Sequence, residues 1–192
     1  SLDIHLSYGR LLLKWERLDS AMQQGDFVVG KARDYGDQMR QAHGHSLTGD
    51  IQKALDQDKK AMRDYRKALL IYKDLDMPEQ EARTLKYLAL LHRKMGKNAV
   101  ALDYAQRGLK KAHEADSRTE AMDLYKLLSE LLEEKGEFEK ALDYSRLHNM
   151  LRDSLLGNDA AGDLASILDT YERDTLRLEN ENNAKTIQLN ET

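Results

Sequence analysis

The sequence predicts an all-α protein: a right-handed superhelix of about four antiparallel helix hairpins. Three observations predict it. The 192 residues are 33% charged and 41% hydrophobic with a single Pro, a composition of helix formers almost free of breakers. Two Phe and one Trp supply little of the aromatic stock that strands use. The chain also matches itself at a shift of 40 residues, the signature of a repeat.

The self-match preserves size class. Ala61 falls on Ala101 and Ala141, Met62 on Leu102 and Leu142, and Leu69 on Leu109. Ile51 falls on Leu91 and Leu131, and Gly49 on Ala89 and Ser129. Large residues meet large ones and small meet small, as expected where two helices of a hairpin approach closely. One copy is clearest: Tyr125, Leu128, Ser129 and Leu132 at helical spacing, then Gly136-Glu137-Phe138, then Ala141 and Ser145. Gly136 suits the left-handed conformation that ends a helix, and Phe138 is expected to plug the hairpin turn.

This order, Tyr125-x-x-Leu128-Ser129-x-x-Leu132-x-x-x-Gly136-Glu137-Phe138-x-x-Ala141, resembles the tetratricopeptide repeat. The preceding copy reads Leu85, Leu88-Ala89, His92, Gly96, Ala101 and Ala105, and departs from the family at Asn98. The copy before keeps Gly49, Ala61, Tyr65 and Ala68, with Asp56 in place of the turn Gly. A degenerate first copy is read at Gly25-Asp26-Phe27, with Gly30 in the Ala position and a spacing of 31 to the next copy. The resemblance covers about residues 8–155. The 40-residue variant of a repeat usually about 34 long resembles the sensor regions of bacterial signalling proteins and the peptide-sensing regulators of Gram-positive bacteria.

Boundaries follow from local signals. Helices are predicted at 2–23, 26–42, 44–55, 58–75, 78–95, 98–115, 118–135, 138–155 and 159–187. Gly25, Gly96 and Gly136 are placed between paired helices. Pro78 opens a helix at its first turn, and Ser117-Arg-Thr-Glu120 reads as a capping box. A repeat domain over 1–157 is followed by a C-terminal capping helix and polar tail over 158–192. In the latter, Leu164, Leu168, Tyr171, Thr175, Leu178, Asn182, Lys185 and Leu189 form a seam spaced by fours and threes. Its first half is expected to cap the solenoid. A homodimer through this helix is a second use of the seam. The run Arg152-Asp153-Ser154-Leu155-Leu156 with Leu168 to Glu172 resembles the exit of sensor regions in histidine kinases and GGDEF-type diguanylate cyclases.

Composition narrows the function. A net charge of -4 shows no dominant basic surface, so nucleic acid is not an expected partner. No cysteine is present, which removes disulfides, thiol catalysis and cysteine zinc sites. Apolar runs such as Tyr87 to Leu91 are far short of the roughly 20 residues of a membrane span. No direct membrane contact is therefore expected. The chain begins at Ser1 without a Met and reads as a fragment; cytoplasm and periplasm both stay open. No nucleophile elbow, phosphate loop, zincin or kinase motif occurs, so the chain is read as non-catalytic and without a cofactor.

The family's first helices line a concave groove, and the resemblance carries that over to named positions. Arg83, Lys86, Tyr87, Leu90, Arg93 and Lys94 would form one wall; Asp123, Lys126, Leu127, Glu130, Glu133 and Glu134 would form its neighbour. One wall is basic and the next acidic, which fits recognition of a charged protein or peptide segment. It fits equally a surface whose Lys and Glu pair across adjacent helices. Tyr87, Leu90 and Leu127 are the expected apolar anchors. The carboxylate clamp of chaperone-binding relatives is broken, because Leu90 and Glu130 stand where its Asn would follow Lys86 and Lys126. His43 and His45 do not share a helix face, so a metal site is not expected there. His92 and His148 are expected to pack.

Overall fold

The computed structural model describes residues 1–156. They form eight α-helices and, among the described residues, no strand: α1 (Leu2–Lys14), α2 (Leu18–Asp34), α3 (Gln38–Ala54), α4 (Asp58–Asp74), α5 (Pro78–Lys94), α6 (Asn98–Glu114), α7 (Arg118–Lys135) and α8 (Phe138–Leu156). Consecutive helices pair as hairpins, α1 with α2 through α7 with α8, and each hairpin stacks on the next. The result is a tetratricopeptide-like helical solenoid, in which each unit buries its apolar face only against its neighbours. The predicted helix over 159–187, the seam from Leu164 to Leu189 and the 158–192 segment lie outside the described residues.

The period is set by the turns. A left-handed residue recurs every twentieth position: Glu16 (φ 57°), Gly36 (69°), Asp56 (55°), Asp76 (51°), Gly96 (71°), Asp116 (48°) and Gly136 (84°). Each closes the same pair of bonds. At Asp116, its N–H donates to the His113 carbonyl at 3.0 Å, and the Ser117 N–H donates to the Ala112 carbonyl at 2.9 Å. This double closure satisfies carbonyls that a helix end leaves orphaned. The following residue then starts the next helix, as when the Ser117 carbonyl accepts from the Ala121 N–H at 3.0 Å.

This regularity corrects the N-terminal reading. The first helices run 2–14, 18–34 and 38–54 in place of 2–23, 26–42 and 44–55. Gly25-Asp26-Phe27 is not a turn. Gly25 lies buried inside α2, where an added Cβ would come 2.7 Å from Thr48 Cγ2. The first copy is therefore in register with the rest, and its turn is Glu16, not a spacing of 31. Ala21, Ala61, Ala101 and Ala141 occupy one repeat position and are 0%, 0%, 0% and 6% exposed. Gly49 admits Tyr65, whose Cε1 would lie 2.8 Å from a Cβ there.

Two further expectations fail. Phe138 is 67% exposed at the start of α8 and plugs nothing. Ser117 makes no side-chain cap bond, and its expected partner Glu120 is 4% exposed and turned toward α5. Across the helix pair, two cations offer that carboxylate more than one backbone N–H does. Pro78 does open α5, as predicted.

Candidate partner-binding groove

The predicted site residues sit on α5 and α7, which stand side by side as first helices of their hairpins. The structure brings most of them together, but onto each other. Arg83 Nε donates to Glu120 at 2.7 Å, and Lys86 Nζ lies 2.7 Å from Glu120 and 2.6 Å from Asp123. Arg93 bridges Glu130 and Glu134, the latter at 2.6 Å, and Asn98 adds a 2.8 Å bond to Glu134. The basic and acidic walls thus form a ladder that ties α5 to α7. Lys94 turns the other way, 2.8 Å from Asp56 and 3.0 Å from Asp58 at the α3–α4 turn.

Burial grades these pairs. Lys86 is 8% exposed; burial alone would lower its pKa, yet the bonds to Asp123 and Glu120 hold it above the usual lysine value. Its charge is committed to the fold. Leu127 is 4% exposed and belongs to the core with Leu124, Leu128 and Leu131, so it offers no anchor on the surface. Leu90, by contrast, is 38% exposed, and Lys126 and Glu133 face solvent.

The feature that sequence reasoning missed lies one hairpin earlier. The first helices come close at two junctions, α1 with α3 and α5 with α7; at the middle junction α3 and α5 stand farther apart. Side chains fill that wider seam. Half-buried Tyr87 stacks on Tyr65 with ring centroids 5.3 Å apart, and Lys53 Nζ sits 4.2 Å above the Tyr87 ring. The Tyr65 hydroxyl donates to Asp50 at 2.5 Å. Burial raises the Asp50 pKa, which Tyr65, Lys53, Arg10 and Arg83 pull back down. Burial and the Asp50 carboxylate push the Tyr65 hydroxyl well up, so it stays a donor.

Two signals could have found this cluster. Asp50 lies 40 residues before Leu90, and Lys53 lies 40 before Arg93, so both occupy groove positions of the frame already in hand. They were missed because the groove positions were carried over only to the two later copies, although the frame already aligned their neighbours Gly49 and Ile51. Together the seam offers an aromatic face, a lysine, a carboxylate and nearby guanidinium groups. Chemically, that set is able to contact an extended polar chain. No group of three or more His, Cys, Asp or Glu able to hold a metal occurs among the described residues.

The histidines resolve as follows. His43 and His45 lie within α3 on different faces, His43 beside Tyr72 at 5.7 Å and His45 3.2 Å from Asp64. His92 is 6% exposed and stacks on Tyr104 at 5.2 Å, and His148 is half-buried with Nδ1 3.0 Å from the Met122 carbonyl.

No protein-family model and no curated protein matches the chain. Solved structures do. BtubC (BKLC) from P. vanneervenii aligns with TM-score 0.72 at 18% identity, covering 81% of this chain and 65% of its own. Aspartyl phosphate phosphatase F from Bacillus subtilis aligns with TM-score 0.72 at 16% identity, covering 93% and 51%. The apo form of RapI aligns with TM-score 0.73 at 10% identity, covering 94% and 72%. At such identities the likeness establishes a shared all-helical repeat fold. The chain spans about half the length of the phosphatase and 65% of BtubC. Among the described residues no helix is long and apolar enough to cross a membrane.

Proposed function

We propose that this chain is a non-catalytic, peptide- or protein-binding regulatory module of a bacterial signal-transduction protein. The observation that carries the reading is the α3–α5 seam, where half-buried Tyr87 lies under Lys53 near Asp50, with exposed Leu90 one turn on along α5, while the α5–α7 charges, Arg83 included, are already paired. A preformed helical surface with aromatic and charged contacts suits an extended or helical segment. The likeness to RapI and to aspartyl phosphate phosphatase F supports a regulatory setting. A passive scaffold with no gated output is the rival, as is a regulator acting on a response regulator.

The working surface moves accordingly from the α5–α7 walls to the seam. A partner recovered with the wild-type chain should lose binding on Lys53→Glu and on Leu90→Ser, while circular dichroism stays helical. Its affinity should also fall with added salt, since charge here sets orientation and encounter rate. A partner indifferent to both substitutions but lost on removing residues 164–192 would overturn the reading. Hydrolysis of a phosphorylated response-regulator aspartate by the chain would overturn its non-catalytic part.

A further inference from the structure

Asp64, Gln52 and His45 form a buried polar cluster that the groove does not use. They are 6%, 6% and 7% exposed. Gln52 Nε2 donates to Asp64 at 2.8 Å, His45 Nδ1 lies 3.2 Å from Asp64, and Lys67 Nζ lies 3.5 Å away. The cluster floors an open cleft of about 490 Å³ between α2 and α4. His45 and Gln52 are seven residues apart on one face of α3, with Asp50 on the opposite side and Lys53 about 90° round the helix, so the cleft and the seam flank α3 on different sides.

The repeat frame shows what the fold would place here. Positions 45, 52 and 64 correspond to Leu85, His92 and Tyr104 one copy later, and to Tyr125, Leu132 and Tyr144 two copies later. The last copy fills them with apolar and aromatic side chains that pack well. This copy instead buries three polar groups, an arrangement that costs stability and recurs at working sites.

Among the described residues, two buried polar atoms of the cluster lack a hydrogen-bond partner: His45 Nδ1, which lies beside Asp64, and the amide oxygen of Gln52. A carboxylate only accepts, so the Gln52 amide must turn its NH₂ to Asp64. Its Oε1, buried and without a hydrogen-bond partner among the described residues, is therefore an acceptor at the cleft. Asp26 lines the same inner wall, and partial burial together with the Asp64 charge raises its pKa. An added cation would satisfy the amide oxygen and relieve Asp26, whereas Asp64 is already held by Gln52, His45 and Lys67. The outer wall is of the opposite sign, carrying Lys60 and Arg63 of α4. We infer that the cleft binds a small zwitterion of the α-amino-acid class, its ammonium at Gln52 Oε1, Asp26 and Asp64 and its carboxylate at Lys60 and Arg63.

The test is calorimetric titration of the full 192-residue chain with the common α-amino acids, their carboxamides and N-acetyl derivatives, and short peptides with free amino termini. At least one amino acid should bind saturably, and N-acetylation should weaken it by about tenfold or more. Lys60→Glu with Arg63→Glu, both on the surface, should weaken the free acid and spare the carboxamide. Gln52→Leu with Asp64→Tyr restores the apolar pattern of the last copy; it should abolish binding and raise the melting temperature. Carboxamides and peptides binding as tightly as free acids would keep the ammonium end, overturn the carboxylate end and identify a chain terminus as the ligand. No saturable binding by any of these compounds, or unchanged binding by the Leu/Tyr variant, would overturn the proposal. The groove reading stands or falls separately, because its substitutions, Lys53→Glu and Leu90→Ser, touch none of the residues that line this cleft.

Discussion

The Lys86 ammonium lies 2.7 Å from the Glu120 carboxylate, and both side chains are nearly sealed from water, at 11% and 5% exposure. A residue that the repeat frame places on a ligand surface is thus part of the joint between two hairpins. Removing one member of such a pair leaves a buried charge, whereas replacing both by apolar groups leaves none. Lys86→Met should cost roughly 2–4 kcal/mol in chemical denaturation, softened by Arg83, which also holds Glu120. Adding Glu120→Leu should recover most of the loss. A double variant no more stable than Lys86→Met would show that the pair is not the joint.

Packing at the hairpin contact gives a second expectation. Ala101 is fully buried on α6, whereas Gln106 on the same helix faces solvent. Ala101→Leu should cost about 1–3 kcal/mol through overpacking, and Gln106→Leu should change the melting temperature little. Ala141, 6% exposed with its carbonyl accepting from Ser129 Oγ at 2.8 Å, should behave like Ala101. Equal effects at Ala101 and Gln106 would contradict the assigned faces.

Acid should loosen the third and fourth hairpins before it affects most carboxylates. His113 Nε2 faces the Tyr125 hydroxyl at 3.0 Å, and burial depresses its pKa to about 4. An unfolded histidine binds its proton near pH 6.5, so the unfolded state gains protons first. Stability is then full above about pH 6.5 and declines as pH falls toward 4, by up to about 2 kcal/mol near pH 5. His92, also depressed by burial, adds in the same direction. Melting temperatures should fall over this window in the wild type and less steeply in His113→Gln. A flat profile in both would remove the neutral ring from the account.

The fold was legible because its repeat is written in residue size. Ala61, Ala101 and Ala141 mark one position, and for the five helices predicted between 58 and 155 every boundary falls within one residue of the observed helix. The N-terminal hairpins were misread because a glycine can serve two purposes. Gly25 is small for close packing on Thr48, not for a turn. The true marks were Gly9, 40 residues before Gly49, and Ala21, 40 before Ala61. The groove was legible only as a surface. Which charges pair, which stay open, and that Leu127 turns inward depend on how far neighbouring helices stand apart, and a repeat frame alone does not carry that spacing.

The turns supply the last prediction, because seven equivalent positions carry three residue types. The left-handed conformation costs an ordinary L residue roughly 1–2 kcal/mol, less for Asp, and nothing for Gly. Glu16 at φ 57° and Asp116 at φ 48° therefore hold strain that Gly36, Gly96 and Gly136 avoid. Gly in a turn also enlarges the freedom of the unfolded chain, which offsets part of the gain. The net expectation is an ordering. Glu16→Gly should stabilise by about 0.5–1 kcal/mol, and Asp116→Gly should stabilise by less, because a short polar side chain tolerates this region. Gly96→Ala, at φ 71° with open space around its Cα, should destabilise by about 1 kcal/mol from backbone strain alone. Urea midpoints of the three variants measure the order directly. If Glu16→Gly destabilises, the Glu16 side chain contributes more at the first turn than its strain costs, and that turn is not equivalent to the other six.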